Sequence, residues 1–361
     1  MPDGPRPVRI GATTPAAPAA PAAPVARDAL PQTVDEALRA ATGWPDDLRP
    51  GTGATVALWE HLATLAAHDL AVARAVEPHL DARAVLDQAG TTLPPALAAR
   101  TTTWGVYAAE GPGEPLTATE QGGAWVLDGE KPWCSLAGRL DAALVTARTG
   151  DGRRGLFAVD LRAPEVAPVD APWPARGLAE IPSTPVRFAG AAATPVAVGD
   201  WYLERPGFWW GGTGVAACWF GGAVAVARRV HAQAAARPDD RLLAMHLGAL
   251  DERLEAARLS LAEAAARVDA SGAATHGGTE AEDADARAAG RVLAKRVRAT
   301  VARTCEDVLR LAAHSLGPGP LTQEPAHAKR VADLEVYVRQ QHAERDDASL
   351  GALLAGGPAP W

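Results

Sequence analysis

Bulky apolar side chains are nearly missing from residues 1–30, then recur every three or four positions, break into short runs, and finally return to the helical period. The first stretch is rich in Pro and Ala and offers too little apolar surface to offset the entropy of ordering a backbone, so a flexible tail is expected there. Between Gly53 and Gly90, Val56, Trp59, Leu62, Ala66 and Leu70 mark one face of an amphipathic helix. A second, short helix is predicted around Asp81 to Gln88, stopping at Gly90 in the left-handed conformation that suits a helix C-terminus. From Thr101 to about Asp200 the runs are short and divided by Gly and Pro, which predicts a β domain. Within it, Asp128-Gly129 reads as a two-residue hairpin turn between Trp125–Leu127 and Lys131-Pro132-Trp133. Strands are predicted through Ala142–Ala147, Leu156–Leu161 and Val186–Phe188. After Gly207, Leu250, Leu254, Ala257, Leu261, Ala264 and Val268 step by three and four, and so do Leu293, Val297 and Val301, as in a bundle. Residues 272–282 are the expected connection between these two helices.

The fold class that follows is α+β and multidomain: a tail over 1–30, a short helical domain over 31–100, a central β domain over 101–205, and a helical bundle over 206–355. A chain of 361 residues has room for more than one core. The formal net charge of -8 argues against a nucleic-acid partner, because such binding needs clustered Lys and Arg. Cys134, Cys218 and Cys305 are too far apart for a CxxC pair, so neither a disulfide framework nor a metal site is expected, and a reducing, cytoplasmic setting fits. Pro206 to Ala227 carries no charge and is long enough to cross a bilayer, but its six glycines and the Arg228-Arg229 pair that follows favour a buried helix over a membrane span. Gly211-Gly212-Thr213-Gly214 lacks the Lys of a P-loop and the later glycine of a Rossmann turn, and reads as packing glycine. His61 and His68 read as residues of a wet helix face, and Trp209, Trp210 and Trp219 as core filler or pocket lining.

The segment Trp125-Val-Leu-Asp-Gly-Glu-Lys-Pro-Trp-Cys-Ser135 resembles the flavin-contacting hairpin of the acyl-CoA dehydrogenases, and Asp141-Ala-Ala-Leu-Val-Thr146 follows it as the next strand does there. Tyr337-Val-Arg-Gln-Gln-His-Ala-Glu-Arg-Asp346 is similar to the C-terminal region of bacterial members. The resemblance spans about residues 40–352 and implies a β-barrel-like central domain, a four-helix-bundle-like C-terminal domain and FAD as cofactor. It places Trp133 beside the flavin ring, the Ser135 hydroxyl at flavin N5, and Tyr107 and Ala109 at the pyrimidine edge. Ala109 stands where the family has a Thr, and the Gly-Ser-Asp run that should follow is absent. Gly317 is the surviving match to a loop that reaches the dinucleotide of a neighbouring subunit, which implies a homodimer or homotetramer.

Dehydrogenation of an acyl thioester requires a carboxylate to take the α-proton while hydride leaves for the flavin. Counted from Asp333, the position of the common base is Gln341, and an amide cannot serve. The alternative family position, just before Gly222, offers only Val215 and Ala216. His342, four residues before Asp346, is the nearest replacement, and it also suits the oxygen chemistry of flavin monooxygenases of the same fold. Three readings follow: an FAD-dependent oxidoreductase acting on an acyl-CoA or carrier-bound acyl thioester, a monooxygenase fed reduced flavin by a partner reductase, and a catalytically silent flavin- or acyl-binding subunit.

Overall fold

The computed structural model describes residues 6–11, 30–46, 48–99, 101–274 and 280–357; most of the expected tail and the middle of the 272–282 connection lie outside them, but residues 6–11 are no free tail, since Val8 and Ile10 are buried and their N–H groups donate to Thr64 and Glu60 of the helix at Thr55–His68. Three helices come first. α1 (Val34–Ala41) begins at Thr33, whose hydroxyl accepts the Glu36 N–H. α2 (Thr55–His68) and α3 (Leu70–Ala89) are separated at Asp69, whose carboxylate accepts the N–H groups of Ala71 and Val72. The helix predicted to begin near Asp81 is therefore the second half of a helix that starts eleven residues earlier. The local capping signal of Asp69 was hidden inside an uninterrupted apolar period. Gly90, at φ 60°, ends α3 as expected.

Seven strands follow: β1 (Trp104–Tyr107), β2 (Thr117–Gln121), β3 (Ala124–Lys131), β4 (Ala142–Thr149), β5 (Arg154–Asp160), β6 (Val166–Pro168) and β7 (Val186–Val198). Neighbours run β1-β4-β2-β3-β7-β5, and a further β4–β5 pairing closes the sheet into a barrel, with β6 on β7. β4 serves β1 along residues 142–145 and β2 at 148–149. Asp128-Gly129 is not a hairpin turn. It lies within β3, where the register against β7 shifts between Leu127 and Asp128, and the turn joining β2 to β3 is Gly122-Gly123, both at positive φ. Both dipeptides offer positive φ, and pairing with β7 decided between them.

The helices after the sheet are α4 (Trp201–Glu204), α5 (Pro206–Ala236), α6 (Arg241–Ala274), α7 (Glu280–Leu316), α8 (Gly319–Gln323), α9 (Pro325–Tyr337) and α10 (Glu344–Ala355), with a 3-10 turn over Val338–Gln340. α5 is the axis of the molecule, packed on α2 and α3 on one side and on α6, α7 and α9 on the other. It is the one described helix long and apolar enough to span a bilayer, and its most apolar stretch is 83% buried inside the protein. Of its glycines, Gly211 packs against Asp81 while Gly212 and Gly214 make only ordinary contacts at 3.9 and 3.5 Å; a Cβ on Gly221 would stand 2.1 Å from the Ala63 carbonyl oxygen, so α5 and α2 cross backbone to backbone.

The β domain is clamped to α9. The Leu178 N–H donates to Asp333 at 2.7 Å, and Gly177 lies so close that an added Cβ would meet the Ala332 carbonyl at 1.9 Å. Lys329 ties Asp333, Asp69 and Glu180 together at 2.6, 3.0 and 3.3 Å.

Candidate active site

The loop leaving β3 is held in an unusual shape. Trp133 and Leu136 are both at φ 59°, a region that costs a non-glycine residue about 1–2 kcal/mol. Its backbone is pinned against residues 182–184: Cys134 N–H donates to the Thr184 carbonyl at 3.1 Å, and Leu136 N–H to the Pro182 carbonyl at 2.8 Å. The outcome is a large aromatic side chain, Trp133, left 59% exposed. Two residues on, Ser135 turns inward. Its hydroxyl receives a hydrogen bond from Arg74 at 3.1 Å and shares one with Ser183 at 2.8 Å, while the Tyr107 hydroxyl donates to its carbonyl at 3.0 Å.

Facing this loop is a wall of helices. α3 presents Arg74, Glu77 and Asp81 along one side, three and four residues apart. Asp81 is engaged by the buried Arg205 at 3.2 Å and rests on the bare backbone of Gly211. From α7, Arg298 donates to the carbonyls of Gly212 at 2.5 Å and Gln340 at 2.9 Å, its guanidinium 4.7 Å from the centre of the Trp219 ring. Tyr337 is buried between Arg74, at 5.6 Å over its ring, and Trp219, at 6.3 Å edge-on. Burial pushes the Glu77 carboxyl up to about 7; Asp81 adds to the rise, and the cations Arg74 and Arg298 oppose it. At the rim, Trp209 lies under Arg291 and Lys295, 5.4 and 5.9 Å from its ring.

Among the residues singled out in the sequence, Tyr107, Trp133 and Ser135 come together at one loop. Ala109 is exposed in the segment after β1, and Gly317 ends α7 at φ 66° with its N–H on the Ala313 carbonyl. Gln341 is buried, 7% exposed, and its Oε1 finds no hydrogen-bond donor among the described residues. His342 turns the other way: its side chain is 66% exposed, with Nδ1 3.6 Å from Asp346, whose carboxylate also takes the His342 backbone N–H and the Lys295 ammonium. His61, read as solvated, packs edge-on to Trp44 at 4.3 Å, and burial lowers its pKa to about 4. Arg74, Glu77 and Arg298 escaped the sequence reading. The signal for the first two is the charged run at positions 74, 77 and 81 of α3; Arg298, on α7, has none.

A flavin fits this arrangement. An isoalloxazine ring needs a flat apolar partner and hydrogen-bonding groups at its edge. The exposed Trp133 indole supplies the first. The Ser135 hydroxyl and the Arg74 guanidinium supply the second. A separate cavity of about 650 Å³, lined by His68, Arg228, Arg229, His231 and Arg330, lies at the C-terminal end of α5 and holds none of these groups.

No protein family model matches the chain, and no curated protein does. Solved structures do. The FMN-bound dibenzothiophene monooxygenase TdsC from Paenibacillus sp. A11-2 superposes with a TM-score of 0.72 at 16% identity, over 84% of each chain. KijD3, solved with FMN and a dTDP-linked 3-amino-4-keto sugar, gives 0.73 at 18% identity over 89% of this chain and 83% of its own. The nitrososynthase from Micromonospora carbonacea var. africana gives 0.71 at 19% over 91% and 88%. At these identities the likeness establishes architecture, and the architecture of this chain is the acyl-CoA dehydrogenase fold.

Proposed function

We propose that the protein is a flavin-dependent oxidoreductase of the monooxygenase kind, which oxygenates a small polar substrate in the cleft between the Trp133–Ser135 loop and α3. The observation that carries this reading is the charge packed beside the Ser135 loop: Arg74 donates to Ser135, and Glu77 and Arg298 lie next to it, whereas a saturated acyl chain needs apolar surface. The amide of Gln341 and the outward His342 agree with it, since neither supplies a buried carboxylate for α-proton abstraction. The fold neighbours TdsC and the nitrososynthase bear names of oxygenating enzymes, and TdsC and KijD3 were solved with FMN.

In this reading Trp133 stacks on the flavin, Ser135 meets its edge, and Arg74 fixes the Ser135 hydroxyl. Tyr107 holds the Ser135 carbonyl and thereby the loop. Reduced flavin supplies the two electrons with which O2 is split between product and water. FMN and FAD both remain within the proposal; Ala109 and the single Gly317 offer little to grip a dinucleotide. A reductase partner to deliver reduced flavin, and assembly as a homodimer or homotetramer, belong to the same proposal.

The test is titration of purified protein with FMN and with FAD, followed by stopped-flow mixing of the reduced complex with oxygen. Binding of either flavin, with reoxidation that generates hydroxylated product from small aromatic or amine compounds, is the expected outcome. Anaerobic bleaching of bound oxidised flavin by acyl-CoA thioesters would establish a dehydrogenase instead, and absence of any flavin binding would leave the silent-subunit reading.

A further inference from the structure

The chain carries a net charge of -8, yet the cavity of about 650 Å³ at the C-terminal end of α5 has four arginines and two histidines in its walls and no carboxylate. Arg228 and Arg229 stand on α5, Arg330 on α9, His68 at the end of α2, and Arg6 on the N-terminal segment. That segment is tied down: Arg228 donates to the carbonyls of Arg6 and Pro7 at 2.9 and 3.0 Å, and the Val8 N–H donates at 3.0 Å to Thr64, itself in the cavity wall. Arg229 is balanced by Glu324, whose two oxygens it holds at 2.8 Å. Arg228 spends donors on carbonyls, which carry no charge, and Arg330 has no hydrogen-bond or ion-pair partner among the described residues. Asp69, next to His68 in the chain, is held by Lys329 at 3.0 Å. The repulsion reaches across the cavity. Burial, then Arg6 and Arg330, push the Arg228 guanidinium below its ordinary value; burial lowers His68 too, with Arg330 adding to the fall and Asp69 opposing it. Cations gathered around a recess concentrate anions there, and guanidinium forks match phosphate oxygens in pairs. The rest of the wall is Thr64 and three alanines, with no aromatic ring among them.

We infer that this cavity is a binding site for a diphosphate, taken by Arg330, Arg228 and Arg6, with the body of any larger ligand lying on the alanines. The recognised group is shared by free pyrophosphate and by the diphosphate end of a nucleotide; with no ring to stack a base, the phosphates supply the binding. Arg228 can take part while it holds the N-terminal segment, because a guanidinium has five N–H donors. The volume exceeds what a single phosphate fills and lies in the ordinary range of small-ligand pockets. The dipole of α5 opposes an anion at its C-terminal end, but that field is confined to the last turn before Ala236, and the α5 residues of the wall stop at Ala232. The site lies apart from the candidate active site: ten residues of α5, roughly 15 Å at the helical rise, separate Arg228 from Cys218, which neighbours the Tyr337 under Arg74. The inference does not rest on the flavin reading.

The experiment is isothermal titration calorimetry of the full chain at physiological salt with pyrophosphate, ADP and adenosine, on wild type, Arg330→Gln and Arg267→Gln. Wild type is expected to bind pyrophosphate and ADP with dissociation constants within about threefold of each other, and adenosine not at all. Arg330→Gln should weaken both phosphates by about tenfold or more, the loss of a charge-assisted hydrogen bond. Its melting temperature without ligand should hold or rise, since a repelling charge with no partner has gone. Arg267→Gln removes the same charge from the exposed face of α6, where Arg267 pairs with Glu263, and should leave binding unchanged. Absence of pyrophosphate binding at millimolar concentration, binding undiminished in Arg330→Gln, or equal weakening in the two variants would each overturn the inference. ADP binding without pyrophosphate binding would overturn it as well, because the nucleoside would then be the recognised part.

Discussion

At the scale of single residues, the loop after β3 trades stability for an exposed aromatic ring. Trp133 holds a positive φ and leaves 59% of its surface in solvent, so it contributes little to the core it stands on. Trp133→Gly removes about 1 kcal/mol of backbone strain, and the melting temperature is therefore expected to hold or rise. Flavin affinity should fall at least about tenfold, since stacking on an aromatic of this size is worth roughly 1.5–3 kcal/mol. Calorimetry and flavin titration on the same variant check both halves; a drop in melting temperature with affinity unchanged would show that Trp133 is a structural residue. This loop was legible in the sequence because its motif is contiguous, running from Trp125 to Ser135. The charged cluster beside it was not, since Arg74, Glu77 and Arg298 come from two helices more than two hundred residues apart, and only tertiary packing brings them together.

At the scale of elements, the glycines inside the long helices separate two roles that the sequence could not distinguish. Glycine weakens a helix interior by roughly 0.5–1 kcal/mol relative to alanine, so each one needs a reason. Gly221 has one, because a Cβ there would meet the backbone of Ala63. Gly221→Ala should force α2 and α5 apart and cost at least about 1–3 kcal/mol, the usual range for overpacking. Gly290 on α7 is the contrast: nothing lies within 4 Å of where its Cβ would be, so Gly290→Ala should gain roughly 0.5–1 kcal/mol from helix propensity. Denaturant unfolding of the two variants decides it, and similar midpoints would mean that the α2–α5 crossing is looser than its geometry. The helix periods of α6 and α7 were readable because they repeat over many turns. The Asp128-Gly129 turn was misread because a local dipeptide carries no information about the strand, β7, that pairs across it.

At the scale of the whole molecule, the helical layer and the barrel are joined by a bond that acid should break. His79 on α3 accepts the backbone N–H of Trp104, the first residue of β1, on its Nδ1 at 3.2 Å. An imidazole accepting at Nδ1 is neutral, and burial holds its pKa down to about 4, with Arg83 acting in the same direction. Since the folded-state value lies below the ordinary 6.5, the unfolded chain binds more protons between these two values. The stabilising contribution is therefore complete above about pH 6.5 and is lost as pH falls toward 4, by a total on the order of 3 kcal/mol. His61, also lowered to about 4 by burial, works in the same sense. Glu77 opposes both: its carboxyl is raised to about 7, so between its ordinary 4.5 and that value the folded state holds the extra proton. Two histidines outweigh one carboxyl, and stability should decline from pH 6.5 to pH 5. His79→Asn offers an acceptor oxygen near the place of Nδ1 without titrating, and it should flatten that decline even if it lowers stability at pH 8. Melting temperatures across this pH range for wild type and variant, with hydrogen exchange at the Trp104 amide, provide the measurement. Parallel curves would show that the acid sensitivity arises elsewhere and that the contact between α3 and β1 survives protonation.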